Sequence, residues 1–330
     1  MNRRMMGIAV GAALALSACG AQSTETPTTD ATPDAVTLIA YDAFTPEKGI
    51  FDDFTRATGA EVKVVTAGDT GTMVSKAVLA SGNPEADVMW GVDNTFLSRV
   101  TNAKVFDSYE AVDEGDVCIN YDKKWFAAKK IAVPSTFDDL IDPAYKGLLA
   151  VQDPVASSPG LAFLLATIAQ FGESGWQKYW TSLIANDVHI SPDWTTAYTK
   201  DFTIAGGKHP MVVSYGSSPP AEVVYSATPI TEPPTGVIES TCFRQTEYAG
   251  VLRGTKNPNN ARALVDYLLG KKFQESMPLT LFVFPVNTDA ELPQVFKDFA
   301  VKPAKPLTLT PDTIEKNRDS WLDAWRALAL

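Results

Sequence analysis

The chain has 330 residues, 45% of them apolar and 20% charged, and a net charge of −11. That balance belongs to a globular protein long enough for two ordinary domains or one large one. The acidity repels nucleic acid and anionic lipid surfaces and attracts cations, so a nucleic-acid partner is set aside.

Residues 1–20 read MNRRMMGIAVGAALALSACG. Arg3 and Arg4 precede an apolar run from Ile8 to Leu16, and small residues then lead to Cys19. The run is too short to span a bilayer stably, so residues 1–18 read as a cleaved signal peptide. A cysteine straight after Leu16-Ser17-Ala18 resembles the lipobox of bacterial lipoproteins. That implies a lipid on Cys19 and a domain held at the outer face of the cytoplasmic membrane. The alternative is an ordinary signal peptide with an incidental cysteine. Residues 20–35 hold Thr, Pro, Ala and Asp but no large apolar residue, so 19–35 reads as a disordered tether.

The folded part begins at 36–41, a β-branched apolar run typical of a buried strand. Residues 50–58 carry apolar residues at helical spacing, and 61–66 alternate as a strand. Residues 72–80 read as a helix ended by Ser81-Gly82-Asn83-Pro84, 86–90 as a strand and 95–100 as a helix. A second set starts near 148–151, with helices at 161–171 and 176–185 and a strand at 211–215. Strand-like 248–253 and a helix at 260–269 come later. A final helix, 311–330, sets Trp321, Trp325 and Leu328 at helical spacing for packing on the core. The alternation implies an α/β fold, a parallel sheet flanked by helices.

Polar turns follow several strands, around Tyr41-Asp42, Asp69-Thr70, Asp93-Asn94, Ser157-Ser158-Pro159-Gly160 and Tyr215-Gly216-Ser217-Ser218. Ligands of open α/β sheets sit outside the carboxyl ends of the strands, so five such turns suggest a shared cleft. Each alone is as well explained as a cap on the next helix. Aromatics beside turns, Trp194, Tyr215, Phe282 and Phe284, either pack on the core edge or offer ring faces to a flat or cationic ligand.

Nothing assembles a catalytic set. His189 and His209 lie far apart without metal-ligand spacing, and there is no Gly-Xaa-Ser-Xaa-Gly elbow, phosphate loop or Cys-Xaa-Xaa-Cys. Paired carboxylates stay open, since no spacing singles out a pair. The expectation is a binding protein and not an enzyme, with no cofactor and no metal. With Cys19 lipidated, Cys118 and Cys242 remain; outside the cytoplasm such cysteines often pair, the alternative being two separate buried thiols.

From Leu38 to the last helix, these residues resemble the periplasmic thiamine-binding proteins of ABC importers. The matching pieces keep their order: Tyr41-Asp42-Ala43-Phe44, Ala86-Asp87-Val88 with Gly91-Val92-Asp93-Asn94, and Gln152-Asp153-Pro154 with Ser158-Pro159-Gly160-Leu161. Trp194 followed by Ala197-Tyr198, Ser214-Tyr215 with Ser218-Pro219, and Phe284-Pro285-Val286 complete them. The resemblance implies a type II periplasmic-binding-protein-like fold, two α/β lobes with a cleft and hinge. It would act as a monomer, close on thiamine or its phosphates and deliver them to an ABC permease. By resemblance, Tyr41, Trp194, Tyr215 and Phe282 supply rings. Ser157, Ser158 and the Gly160 amide face the hydroxyethyl or phosphate end with Asp69 and Thr70. Asp42, Asp93 and Ser218 complete the set. Two departures thin the ring cage. Ala221 stands where the family has a tyrosine and Phe282 where it has a tryptophan, leaving Tyr225 and Glu222 as the residues placed to compensate.

In two-lobed proteins of this kind the chain crosses between lobes at least twice. The expected crossings are 117–121 and 239–245. Residues 36–116 plus 246–330 then form lobe 1 with the C-terminal helices, and 117–245 form lobe 2. Crossing strands commonly lie side by side, which brings Cys118 and Cys242 together as a staple across the hinge. Two alternatives remain. One is the same fold holding ferric iron, a polyamine or a phosphonate, although ferric binders use adjacent tyrosines and Tyr215 is followed by Gly216. The other is a secreted thiamine-degrading enzyme, which needs a nucleophilic cysteine in the cleft.

Overall fold

The computed structural model describes residues 35–329; Cys19, the signal peptide, nearly all of the tether and Leu330 lie outside them. β1 (Ala35–Ala40) pairs in parallel with β2 (Glu61–Thr66) and β3 (Val88–Asp93). Parallel neighbours need crossovers, supplied by α1 (Asp52–Thr58) and α2 (Thr70–Leu79). β3 is buried at every position, as a central strand must be, whereas β2 is mostly exposed and ends the sheet. α1 stops at Gly59, φ 76°, whose N–H meets the Thr55 carbonyl. α2 starts earlier than its apolar spacing suggests, because Asp69 caps it by accepting from the Thr70 N–H. α3 (Leu97–Asn102) starts later, because Asp93 Oδ1 holds the Thr95 and Phe96 N–H groups in a preceding turn.

A second parallel set places β5 (Leu149–Gln152) between β6 (His189–Ser191) and β7 (Met211–Tyr215). α4 (Lys123–Lys129) precedes it, capped by Asp122. α5 (Ser158–Phe171) and α6 (Trp176–Ala185) connect β5 to β6. α7 (Trp194–Thr196) runs straight into a π-helical turn at Ala197–Asp201, and α8 (Pro219–Val224) follows β7.

The two sets are joined by strands much longer than the sequence suggests. β4 (Phe106–Asp122) and β8 (Thr235–Leu252) run antiparallel along nearly their full length. β8 borders β3 and β4 borders β7, giving one mixed sheet in the order β2-β1-β3-β8-β4-β7-β5-β6. Residues 239–245 and 248–253, read apart in the sequence, belong almost entirely to β8. The charges at Asp107, Glu110, Asp113, Glu114 and Asp116 had hidden the first half of β4. Cys118 and Cys242 face each other across β4 and β8 and form a disulfide, Cα–Cα 4.1 Å, with both residues buried.

α9 (Pro258–Leu269), α10 (Lys271–Thr280), β9 (Phe284–Pro285), which pairs with β4, α11 (Gln294–Phe299) and α12 (Pro311–Ala329) complete the chain. One apolar core gathers Phe44, Trp90, Phe273 and residues of α9; a larger one runs from Met73 and Phe96 to Trp180 and Trp325. α12 packs on both α3 and α6. Trp325 meets Trp180 edge-on at 5.7 Å, and Arg318 donates to Ser98 Oγ at 2.8 Å. Among the described residues no helix is long and apolar enough to cross a membrane.

Candidate functional site

A cavity of about 560 Å³ opens where the loop after β1, the start of α2, the α7 segment, the start of α8 and residues 280–283 meet. Six aromatic residues line it: Tyr41, Trp194, Tyr198, Tyr215, Tyr225 and Phe282. Asp193 starts the α7 segment by accepting from the Thr196 N–H at 2.6 Å. Trp194 then stacks on Tyr198, ring centroids 5.1 Å apart and planes 12° apart. The Trp194 backbone N–H donates to Asp69 Oδ2 at 3.0 Å and its indole N–H to Ser214 Oγ at 3.0 Å, fixing the ring against α2 and β7. Gly91, φ 92°, sits at a bulge in β3 and makes room for Tyr41: a Cβ there would lie 2.3 Å from the tyrosine ring. Phe282 takes φ 55°, a left-handed conformation sparse for aromatics, and its ring meets Tyr225 at 5.6 Å. Of the two residues placed to compensate for the thinner cage, Tyr225 therefore lines the cavity. Glu222 lies behind Tyr198, accepting its hydroxyl at 2.6 Å.

The polar lining is acidic. Asp42, Asp69, Asp193 and Glu247 face the cavity against a single cation, Lys200. Glu247 accepts from the Tyr41 hydroxyl at 3.2 Å. Asp93 on β3 and Asp113 on β4 stand opposite it in strand register, and all three are buried. Burial is the main cause that raises all three above the usual carboxylate range: Asp113 to about 8, Asp93 upward, Glu247 well above it with the charges of Asp113 and Asp93 adding. Burial also raises Asp69, opposed by the Trp194 and Thr70 N–H groups. Tyr41, Tyr198 and Tyr215 are held neutral, first by burial and then by the nearby carboxylates.

A raised carboxyl favours the folded state while it carries its proton. That stability is complete below the unfolded value near about 4 and is lost as pH rises through the folded value. With Asp113 at about 8, the ligand-free protein is expected to melt at a lower temperature at pH 8 than at pH 5. Scanning calorimetry checks this, and an Asp113→Asn, Glu247→Gln double variant should flatten the trend.

Eight expected residues, Tyr41, Asp42, Asp69, Thr70, Trp194, Tyr215, Ser218 and Phe282, line this one cavity. Asp93, Ser157, Ser158 and Gly160 do not. Asp93 is fully buried and spent on the turn before α3 and on Gln245. Ser157 and Ser158 are buried, and Ser158 Oγ meets Gln245 Nε2 at 2.6 Å; only Pro159 of that turn reaches the wall. Gly160 lies against β5, where a Cβ would come 2.6 Å from the Gln152 carbonyl oxygen. Sequence reasoning missed Glu247, Asp193, Tyr198 as a lining ring, and Thr280, Leu281 and Val283. For Glu247 a signal existed: a carboxylate directly before the strand-like run 248–253. Among the described residues no group of His, Cys, Asp and Glu is arranged to hold a metal ion.

The family model described as bacterial extracellular solute-binding protein matches residues 84–317. The thiamine-binding periplasmic protein of Brucella suis biovar 1 is 28% identical over 323 residues, covering 89% of this chain and 92% of its own length. That of Salmonella typhimurium strain LT2 is 26% identical over 315 residues, covering 88% and 92%. A solved periplasmic thiamin-binding protein superposes with a TM-score of 0.80 at 22% identity, covering 90% of this chain and 96% of that one.

Proposed function

This chain belongs to the bacterial extracellular solute-binding proteins and has the type II periplasmic-binding-protein fold, and on that premise we propose that it captures thiamine outside the cytoplasm for an ABC importer. The observation that carries the reading is the cavity's make-up: six aromatic residues and four carboxylates against one lysine. Thiamine joins a flat aminopyrimidine to a thiazolium with a permanent positive charge. A ring face over a quaternary cation contributes about 0.5–2 kcal/mol, and more when desolvated. Tyr41, Trp194 and Tyr215 are the rings we assign to the two heterocycles, with Tyr225 standing in for the tyrosine that Ala221 replaces.

The reading includes motion and tethering. Residues 36–116 plus 246–330 act as one lobe and 117–245 as the other, closing about the β4–β8 pair. A lipid on Cys19 keeps the monomer near its permease, and the bound vitamin leaves unaltered.

The acidic lining also orders the ligands. A diphosphate would meet Asp69 and Asp193, whereas the hydroxyl of thiamine can bond to them. Thiamine is expected to bind at least about tenfold more tightly than its diphosphate, equal to about 1.4 kcal/mol. Calorimetric titration of the protein with thiamine, its monophosphate and its diphosphate tests both claims. An absence of heat with thiamine at micromolar concentrations would sink the function; equal affinities would sink only the ranking.

A further inference from the structure

Glu247 and Asp113 are direct neighbours across β8 and β4, and Glu247 faces the cavity. Directly opposite residues of a ladder point to the same face, so the two carboxyls lie side by side, and the charge of Asp113 adds to the upward shift of Glu247. Neither Asp113 oxygen meets an ordinary donor, and both are buried. Two of the nearby cations are engaged elsewhere. Arg244 holds Asp116 and Glu114, and Lys302 holds Glu114. Lys200 belongs to the π-helical turn of the α7 segment. What surrounds Glu247 is Asp93 from β3, Asp113 from β4, Tyr41 from the loop after β1 and Tyr215 from β7. Of these, only the Tyr41 hydroxyl is seen donating to it.

Two adjacent, buried carboxyls with no cation paired to either cannot both be charged, so the pair holds one proton. A cation entering the cavity can take over that proton's role. We propose that Glu247, backed by Asp113, is the group that selects ligands for positive charge, and that capture of a cationic ring releases one proton from this pair to bulk water. The proposal rests on the thiamine reading above and deepens it, since it explains why a neutral ring of the same shape would be refused. It also gives capture a pH dependence. Below the titration of the pair, at about 8 for Asp113, a ligand must displace a proton and binds more weakly.

Thiamine is titrated calorimetrically into the protein at pH 7 in HEPES and in cacodylate, buffers with different heats of ionisation, and into Glu247→Gln in parallel. The expected result is close to one proton released per thiamine by the unaltered protein and none by the variant. The variant's affinity should fall about 10- to 100-fold, against less than about threefold for the uncharged thiophene isostere of thiamine. For the unaltered protein, affinity should rise by up to about tenfold per pH unit between about pH 6 and pH 8. Equal apparent heats in the two buffers, with thiamine bound, overturn the proposal.

Infrared spectroscopy of the ligand-free protein reads the proton without any ligand. A protonated-carboxyl band at pH 7 that vanishes in the Asp113→Asn, Glu247→Gln double variant is expected. Its absence overturns the proposal whatever binds. A band present while thiamine gives no heat means that the function reading has failed and that selection of this cation falls with it, which separates the two failures.

Discussion

Replacing Cys118 and Cys242 together by alanine is expected to lower the free energy of unfolding by about 4–5 kcal/mol, by the chain-entropy relation for a loop this long. The bond joins residues 124 apart in sequence, so it removes many conformations from the unfolded chain. Both cysteines are buried where the β4–β8 register shifts, so losing two sulfurs from the packed sheet adds a packing cost to the entropic one. For a domain of this size the melting temperature should fall on the order of 10 °C. Neither cysteine lines the cavity, and thiamine affinity should stay within about threefold. Denaturant unfolding with and without reductant checks the claim. A loss below about 1 kcal/mol would show that the unfolded chain is already constrained there.

Gly91→Ala is expected to do the reverse, damaging binding more selectively than the disulfide change. The added methyl would sit 2.3 Å from two carbons of the Tyr41 ring, in a backbone conformation of φ 92° that alanine resists. Strain and overpacking together should cost about 2–4 kcal/mol of stability. The ring must also leave its place, taking with it a face of the cavity and the hydroxyl bond to Glu247. Losing one ring face weakens binding of a cation by about 2- to 30-fold. Gly59→Ala is the control. Its φ is also positive, 76°, but a Cβ there meets nothing within 4 Å. It should lose some stability and leave thiamine affinity unchanged. Equal affinity losses in the two variants would show that backbone strain, not the Tyr41 ring, governs binding.

The parallel strands and their helices were legible because short apolar runs ended by caps and glycines carry their own signals. β1, β3, β7 and α5 all lie where the apolar runs predict them, to within a few residues. The long antiparallel pair was not, since β4 and β8 carry charges where their chemistry needs them. Asp116 meets Arg244, and Asp113 meets Glu247. Strand patterns are read as alternation of apolar and polar, and a strand that buries carboxylates breaks that reading. The site was half legible for a related reason. Trp194, Tyr41 and Asp69 stand in loops, where sequence marks them. Ser157, Ser158 and Asp93 stand in similar turns but are buried away from the cavity, Ser158 and Asp93 holding Gln245 of β8 and Asp93 also the turn before α3, and no local pattern separates the two uses.

β8 also sets the order in which the sheet can be assembled. β3, at residues 88–93, pairs with β1 on one side, and β4, at 106–122, with β7, but the other side of each finds its main neighbour in residues 235–252, more than a hundred residues farther along the chain. Until that strand arrives, each presents a row of unpaired backbone groups, and the most buried strand of the first set lacks its outer partner. Contacts of such sequence separation form slowly, because the loop must close before any pairing rewards it. The sheet therefore cannot be built outward from β1. Its centre closes last, when β8 slots between two edges that have been waiting for it.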